Sequence, residues 1–268
     1  MRSPLFLFLT LALPVFASPV CRLDSAAVVD NLRLTQNRIA IRNGGGLFKK
    51  GVCWWHSRLQ RSSAYLAEFR PSDRPPTKRE AVAILRHLMW MDKVVRIGGF
   101  RDFESFTGAF PEETQALLDS WQRIDGFFNF VWIRGISGNY QLDPEAMALR
   151  MKTIREDFAR SPKPLWIMAQ IKGITAHSFL LLDVIPTADG MELEVIDSNT
   201  PSETHWLVYR SGDQSVSSPR LSYTFIPYTG FQKDFNKIHR TVNAHCGRKS
   251  GAEIPPGDVE LPGFYLQY

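Results

Sequence analysis

Apolar residues follow two different spacings along this chain, and the change between them falls near residue 160. Before it, apolar residues recur every three or four positions, which is the spacing of amphipathic helices. Segment 77–80 has the sequence of a capping box, and proline beside acidic residues at 111–113 and 143–145 is typical of helix starts. We therefore predict that helices begin near residues 25, 53, 78, 111 and 144, and that the helix from residue 53 continues to about Phe69, before Pro71.

After residue 160, short runs rich in β-branched and aromatic residues are separated by turn residues. Asp189 and Gly190 form a turn sequence between two such runs, which predicts a β-hairpin. Helices followed by antiparallel strands predict an α+β fold in a single domain, residues 18–268. The predicted strands are 165–171, 177–185, 191–197, 205–209 and 221–228. The predicted parts are a helical lobe at about 24–160, a β lobe at about 164–230 and a C-terminal tail at 231–268.

The first residues have the pattern of a secretory signal peptide. Arg2 precedes an apolar run at 5–16, and Ala17 provides a small residue for cleavage. The run is shorter than the roughly 20 apolar residues of a spanning helix, so no transmembrane anchor is expected. Lipid attachment at Cys21 is an alternative, although Val20 is bulkier than the residue that normally precedes such a cysteine. We expect residues 1–17 to be removed and the mature protein to be periplasmic or secreted.

The composition is that of a folded protein, with 44% hydrophobic and 22% charged residues. The formal net charge of +5 favours contact with acidic surfaces, but the basic residues are scattered and form no patch. We therefore expect no nucleic-acid binding. The six histidines and three cysteines lack the close spacing of a metal site, so neither a metal nor a cofactor is predicted.

Three cysteines, Cys21, Cys53 and Cys246, remain after the predicted cleavage. An odd number in an oxidising compartment leaves one thiol unpaired, or leaves all three free. Cys21 and Cys246 lie near the two ends of the mature chain, and chain ends often lie close together. Pairing them would leave Cys53 as the free thiol, and the sequence keeps both alternatives open.

Cys53 is the first candidate for chemistry. A loop that contains Gly51 leads it into the first turn of a predicted helix. The free amides and the positive dipole end of a helix stabilise a thiolate, and the same amides can donate to an oxyanion. A buried structural cysteine is the alternative. A thiolate nucleophile also needs a base and a group that orients the base. His56, three residues further on, shares a helix face with Cys53 and could contact the thiol, but packing at the boundary between the lobes is the favoured alternative.

His177 and Asp197 are the candidate base and orienting acid. His177 opens one predicted strand, and Asp197 ends the next. Their positions are centred on residue 187, inside the predicted hairpin turn, so both side chains are expected at the same end of the strand pair. Taken singly, each residue also fits a structural role, as a polar strand end or a turn cap. Together with Cys53 they predict a Cys-His-Asp triad.

Segment 51–54 resembles the sequence around the nucleophile of papain-like cysteine peptidases. The order Cys, His, Asp matches that family, with His177 lying 124 and Asp197 lying 144 residues after Cys53. Segment 195–198 is similar to the family's strand that carries an orienting Asn before a Ser, although Asp replaces Asn here. The resemblance implies a two-lobed papain-like fold, with a helical lobe and a β lobe around a cleft. It also implies a thiol hydrolase without a cofactor.

The chain departs from that family at several positions. Lys50 stands where the family has a second cysteine, and Val52 where it has a small residue. Leu47 stands at the place of the glutamine that stabilises the oxyanion in the family. Asn43 is the candidate that could supply a side-chain donor instead, with the backbone amides of 44–46 as the alternative.

The predicted function is cleavage of a peptide or amide bond through an acyl-enzyme. The expected partner is a peptide or protein substrate, which includes cell-wall peptides, and we expect a monomer. Two alternatives are kept. A transglutaminase-like enzyme would use the same triad order and transfer the acyl group to an amine, and a non-catalytic secreted binding protein could retain the scaffold.

Overall fold

Helices account for most of the first part of the chain. The computed structural model describes residues 19–22, 24–46, 51–128, 140–160, 163–172, 176–229 and 232–248; the predicted signal peptide lies outside them. The described residues form helices α1 (Ser25–Arg33), α2 (Cys53–Leu66), α3 (Lys78–Trp90), α4 (Phe103–Ala109), α5 (Pro111–Phe128), α6 (Pro144–Arg160) and α7 (Gln232–His245). The five helix starts that the sequence predicts are confirmed.

Side-chain caps explain where several of these helices begin. The Asp24 carboxylate accepts a hydrogen bond from the Ala27 amide at 2.8 Å and so caps α1. Thr77 and Glu80 form the predicted capping box at α3, and the Glu80 carboxylate accepts from the Thr77 amide at 2.7 Å. Each such cap contributes about 1 kcal/mol to helix stability.

A two-stranded parallel sheet interrupts the helical part. Helix α2 ends at Leu66, earlier than the pattern predicted, and strand β1 (Ala67–Arg70) pairs with strand β2 (Val95–Gly98). Pro71 follows β1 and disfavours a helical conformation at the residue before it. The expected continuation of the helix to about Phe69 is wrong, because residues 67–69 pair with residues 95–97 in the parallel sheet instead.

The second part forms a five-stranded antiparallel sheet. Its strands are β3 (Leu165–Ile171), β4 (Ala176–Thr187), β5 (Gly190–Asp197), β6 (Thr204–Arg210) and β7 (Phe225–Thr229), in the order β6-β5-β4-β3-β7. Thr187 lies opposite Gly190, which confirms the predicted hairpin. Residues 221–224, predicted as the start of the last strand, lie in the loop before β7. The protein has an α+β fold.

The sheet separates two hydrophobic cores. On one face, Trp166, Leu180 and Ile196 pack in a core that includes the buried residues of α2. On the other face, Met151 of α6 packs in a core with Phe179. Helix α6 thus covers the far side of the sheet, although its residues fall within the range predicted for the helical lobe. Its amphipathic pattern shows that one face is buried but does not specify against which face of the sheet.

The segment predicted as a C-terminal tail contains α7, which packs against α2. Phe235 and Ile238 are buried in the same core as α2. The Asp234 carboxylate lies 2.8 Å from the Arg58 guanidinium and 3.1 Å from that of Arg61. Apolar burial and this ion-pair cluster together hold α7 on α2.

A disulfide joins Cys21 to Cys246, with 5.6 Å between their Cα atoms. Cys53 is the free cysteine, so the first of the two cysteine alternatives applies. Within the described residues, no helix combines the length and the apolar character that crossing a membrane requires.

Candidate active site

Cys53 is the first residue of α2, and the loop before it is held by hydrogen bonds on both sides. Gly51 has φ +91°, a left-handed conformation that suits glycine. The Val52 backbone amide donates to the Asn43 side-chain oxygen, and the Gln122 side-chain nitrogen donates to the Gly51 carbonyl at 2.8 Å. These bonds fix the direction from which the chain enters the helix, and so the position of the sulfur.

Helix α5 anchors the glycine segment further upstream. The Gly46 amide donates to the Asp119 carboxylate at 2.9 Å. The Gln115 side chain donates to the Gly44 carbonyl at 2.9 Å and to Asp119 at 2.7 Å. This segment has no regular secondary structure, and polar side chains one turn apart on α5 hold its backbone in place instead. The sequence analysis did not find this role, because the pattern of α5 alone does not identify the contacting loop.

The nucleophile helix is also fastened to the sheet. The Ser57 hydroxyl lies 3.1 Å from that of Ser178 in β4, and both are buried. The Trp54 ring meets the Trp166 ring edge-on, with 3.8 Å between the ring centroids. Because Ser178 follows His177 directly, the contact between the two hydroxyls helps to fix the position of Cys53 relative to His177. The sequence analysis missed both serines, although their spacing from Cys53 and His177 is a usable signal.

His177 and Asp197 lie together, as predicted. Nε2 of the His177 ring is 2.7 Å from Oδ1 of Asp197, and both side chains are buried. The Asn199 amide donates to the same carboxylate oxygen at 2.8 Å. The carboxylate is therefore held from two sides and orients the imidazole.

The register of this strand pair differs from the predicted one. Asp197 lies opposite Phe179, and the pairing shifts between Leu181 and Asp183 at a bulge. His177 and Asp197 are thus diagonal neighbours on one face of the sheet, not directly opposed. The predicted centre at residue 187 is wrong by about one position, because the turn pairs Thr187 with Gly190 and so centres the hairpin between residues 188 and 189. The side chains still meet, since diagonal neighbours lie within reach of a long side chain.

Cys53, the third predicted residue, contacts His177 and so joins the pair of His177 and Asp197. Its thiol forms a side-chain hydrogen bond with His177. Because Nε2 of the ring faces Asp197, Nδ1 is the nitrogen left for the sulfur. The structure therefore brings all three predicted residues together in the order Cys53, His177, Asp197.

The electrostatic interactions among Cys53, His177 and Asp197 favour a thiolate beside an imidazolium. Burial raises the pKa of Cys53, but the hydrogen bond and positive charge of His177, with hydrogen bonds from Ser178, outweigh it and lower the pKa overall. Burial lowers the pKa of His177, but its bonds to Asp197 and Cys53 raise it overall. The pKa of Asp197 is lowered, because contacts with His177 exceed the effect of burial. The charged pair therefore persists between the lowered pKa of Cys53 and the raised pKa of His177.

His56, the other histidine near Cys53, has a structural role. Nε2 of its ring lies 2.9 Å from the Ile41 carbonyl, to which it donates, and the side chain is buried. Burial lowers the pKa of His56 to about 4, against the opposing effect of the bond to Ile41. His56 is therefore neutral near pH 7 and already bonded.

Asn43, the predicted oxyanion donor, links the loop before Cys53 to the turn after Asp197. Its side-chain oxygen accepts from Val52, and its side-chain nitrogen donates to Oδ1 of Asn199 at 2.9 Å. The Asn43 backbone amide also donates to the Ser198 carbonyl at 2.7 Å. Asn199 in turn places its side-chain nitrogen 3.5 Å from Nε2 of His177. The sequence analysis missed Asn199, although its position two residues after Asp197 in a turn is a signal. Leu47 and Lys50 lie outside the described residues.

In the described ranges, no three His, Cys, Asp or Glu side chains come close enough together to bind a metal ion. The arrangement around Cys53 has the groups that nucleophilic acyl transfer uses: a thiolate, a base and an orienting carboxylate. Comparisons with protein-family models, with curated proteins and with solved structures found no match to this chain.

Proposed function

We propose that this protein is an exported thiol hydrolase of papain-like type, which cleaves a peptide or amide bond through an acyl-enzyme on Cys53. One observation carries the proposal: Nε2 of His177 lies 2.7 Å from Oδ1 of Asp197, and the same imidazole forms a hydrogen bond with the Cys53 thiol. This relay supports a nucleophile that is already ionised near neutral pH. A structural cysteine at a helix start needs neither the imidazole nor the carboxylate behind it.

In the first half of the reaction, the Cys53 sulfur attacks the carbonyl carbon of the scissile bond. A C–S bond forms, and the carbonyl electrons move to oxygen and give a tetrahedral oxyanion. The His177 imidazolium then donates its proton to the departing nitrogen, the C–N bond breaks, and an amine leaves. A thioester on Cys53 remains.

In the second half, neutral His177 accepts a proton from water, and the hydroxide attacks the thioester carbonyl. The C–S bond breaks, a carboxylic acid leaves, and the thiolate–imidazolium pair is restored. Asp197 holds the ring in place throughout and stabilises the imidazolium form.

The oxyanion needs donors, and the start of α2 supplies one. The first intrahelical bond of α2 runs from the His56 amide to the Val52 carbonyl. The backbone amide of Cys53 lies before that bond and so has no acceptor within the helix. It can therefore donate to the oxyanion that forms on the substrate carbonyl when the sulfur attacks. Asn43 uses its side-chain nitrogen on Asn199, so its role as a second donor requires that bond to break.

Two observations support export. The apolar start of the chain has the pattern of a signal peptide. The Cys21–Cys246 disulfide fits an oxidising compartment, where such bonds form and persist.

The test is alkylation of the native protein with a low concentration of iodoacetamide at about pH 6, followed by mass mapping. A free thiol is only about 0.3% ionised there. Cys53 should label at least about tenfold faster than the same cysteine in denatured protein, and His177→Ala should remove the excess. The matched control is His87→Ala, since His87 is exposed and bonds Asp92 at 3.0 Å, away from the triad. Equal rates in native and denatured protein would favour the non-catalytic binding protein.

Hydrolysis and transfer are separated by the products. A thioester formed on Cys53 from an activated ester should decay to the free acid in water. Faster decay in the presence of added primary amine, with the amide as product, would favour the transglutaminase-like alternative.

A further inference from the structure

A cavity opens at the end of the sheet where β4 begins. Its volume is about 430 Å³. It is lined by Tyr140, Lys172, Ser217, Leu221, Ser222, Tyr223 and Thr224. These residues come from the segment before α6, from the end of β3 and from the loop between β6 and β7. None of them belongs to the triad, and the catalytic steps above leave the cavity unused.

A row of aromatic rings connects the cavity to the catalytic histidine. Tyr223 in the cavity wall lies 6.4 Å from Phe225, and Phe225 lies 5.6 Å from Phe179. The Phe179 ring meets His177 edge-on, with 4.8 Å between the centroids. Burial raises the pKa of Tyr223, and the negative charges of Asp197 and Cys53 add to the effect. The cavity wall is therefore joined to His177 through three successive ring contacts.

The cavity wall carries a cation, Lys172, for which the described residues supply no carboxylate partner. Lys172 is exposed, and its ammonium lies 5.6 Å from the centre of the Tyr140 ring. Among the described residues, no carboxylate forms an ion pair with it. Lys172 directly follows β3, and Ala169 in that strand lies opposite His177. The lysine is therefore at the same end of the sheet as the catalytic histidine.

We propose that this cavity is a substrate subsite for a carboxylate on a residue that flanks the scissile bond, with the Lys172 ammonium as its counter-ion. The inference rests on the proposed function, since a subsite has meaning only if Cys53 attacks a substrate. The Ser222 and Thr224 hydroxyls can donate to the same carboxylate. Leu221 and the two tyrosine rings provide an apolar wall for a short methylene stem. One ammonium matches one negative charge, which fits a carboxylate better than a dianionic phosphate.

An acidic side chain and a terminal carboxylate share this chemistry, and paired probes distinguish them. The probes are short peptidyl acyloxymethyl ketones, in which the Cys53 sulfur bonds the methylene carbon and displaces the carboxylate leaving group. The first pair has glutamate or glutamine next to the ketone. The second pair keeps glutamine there and carries a succinyl or an acetyl cap. Each labelling rate is divided by the iodoacetamide rate of the same variant, so that it reports recognition and not thiol reactivity.

The charged member of one pair should label the unsubstituted protein about fivefold faster than its neutral partner, as for an ion pair near the surface. Lys172→Met should bring that ratio close to one. Lys163→Met is the matched control, because Lys163 also lies over an aromatic ring, at 4.1 Å from the centre of Phe158, but precedes β3 at its other end. Its ratio should equal that of the unsubstituted protein.

Two outcomes would overturn the inference: ratios near one for both pairs in the unsubstituted protein, or a charge preference that survives in Lys172→Met. Failure of the proposed function would show itself differently: Cys53 of the unsubstituted protein would react with iodoacetamide no faster than a free thiol.

Discussion

Gly51→Ala tests how the nucleophile loop is built. Gly51 has φ +91°, and a Cβ added there would lie 2.6 Å from the side-chain oxygen of Asn43. That oxygen is the acceptor for the Val52 amide, directly before Cys53. The substitution therefore does two things at once: it strains the backbone and displaces the group that holds the entry to α2. Gly212→Ala separates the two effects, because Gly212 has φ +94° and nothing within 4 Å of its added Cβ.

The two costs can be estimated from these contacts. An L-residue held in this region of φ costs about 1–3 kcal/mol, and both variants share that cost. Displacing Asn43 breaks its bonds to Val52 and Asn199 and leaves the partly buried Val52 amide without an acceptor. Such losses add about 2 kcal/mol to the cost of Gly51→Ala alone. For a domain of this size, that corresponds to a further fall in Tm of about 4–8 °C.

The assay is thermal unfolding of both variants, together with the alkylation rate of Cys53. Gly51→Ala should lower Tm more than Gly212→Ala and slow the alkylation, while Gly212→Ala leaves the alkylation rate unchanged. In an Asn43→Ala background, Gly51→Ala should cost only what Gly212→Ala costs, because the clashing group is gone. Equal Tm shifts and equal alkylation rates for the two glycine variants would refute this account of the loop.

Three further predictions concern the acid, the C-terminal helix and the disulfide. Asp197→Asn should lower the pKa of His177 by about 1–3 units, measured by NMR titration of the ring, because the carboxylate raises that pKa. Stability from the raised pKa of His177 is lost as pH rises through it, and stability from the lowered pKa of Asp197 is lost as pH falls through it, so the variant should be destabilised most between the lowered pKa of Asp197 and about pH 6.5. An unchanged titration would contradict this. Asp234→Asn should cost about 3 kcal/mol in urea unfolding, because it leaves Arg61, whose side chain is 3% exposed, without its carboxylate; a loss below about 1 kcal/mol would show that Arg61 does not depend on it. Cys246→Ser should cost about 4 kcal/mol, since the disulfide closes a loop with a sequence separation of 225 residues, whereas Cys53 alkylation in the folded protein should not change; slower alkylation would show that the disulfide also shapes the site.

Features encoded within a few residues were predictable from the sequence. The capping box at 77–80 and the hairpin turn at 188–189 satisfy their own backbone groups locally, so their sequences are sufficient. The hairpin also brings His177 and Asp197 together, because two strands joined by a short turn must share an end. The helix start at Cys53 was predictable for the same local reason.

Features that depend on distant contacts were not predictable. Strand β1 exists because residues 67–70 pair with 95–98, and neither segment indicates its partner. The bulge in β4 changes the register without a turn residue to mark it. The bond between Asn43 and Asn199 joins residues 156 positions apart, so a scan for motifs cannot find it. Each of these features nevertheless positions the site or the core around it.

The central claim is that Cys53 is a thiolate because His177 is beside it. Cys53 is the free cysteine, so the ultraviolet absorbance of the thiolate reports on this residue alone. The titration compares the unsubstituted protein with His177→Ala. The account predicts a thiolate signal that persists at about pH 6 in the unsubstituted protein and that in His177→Ala appears only as pH approaches the ordinary thiol pKa of about 8.5. A thiolate that appears only near pH 8.5 in both proteins would contradict it.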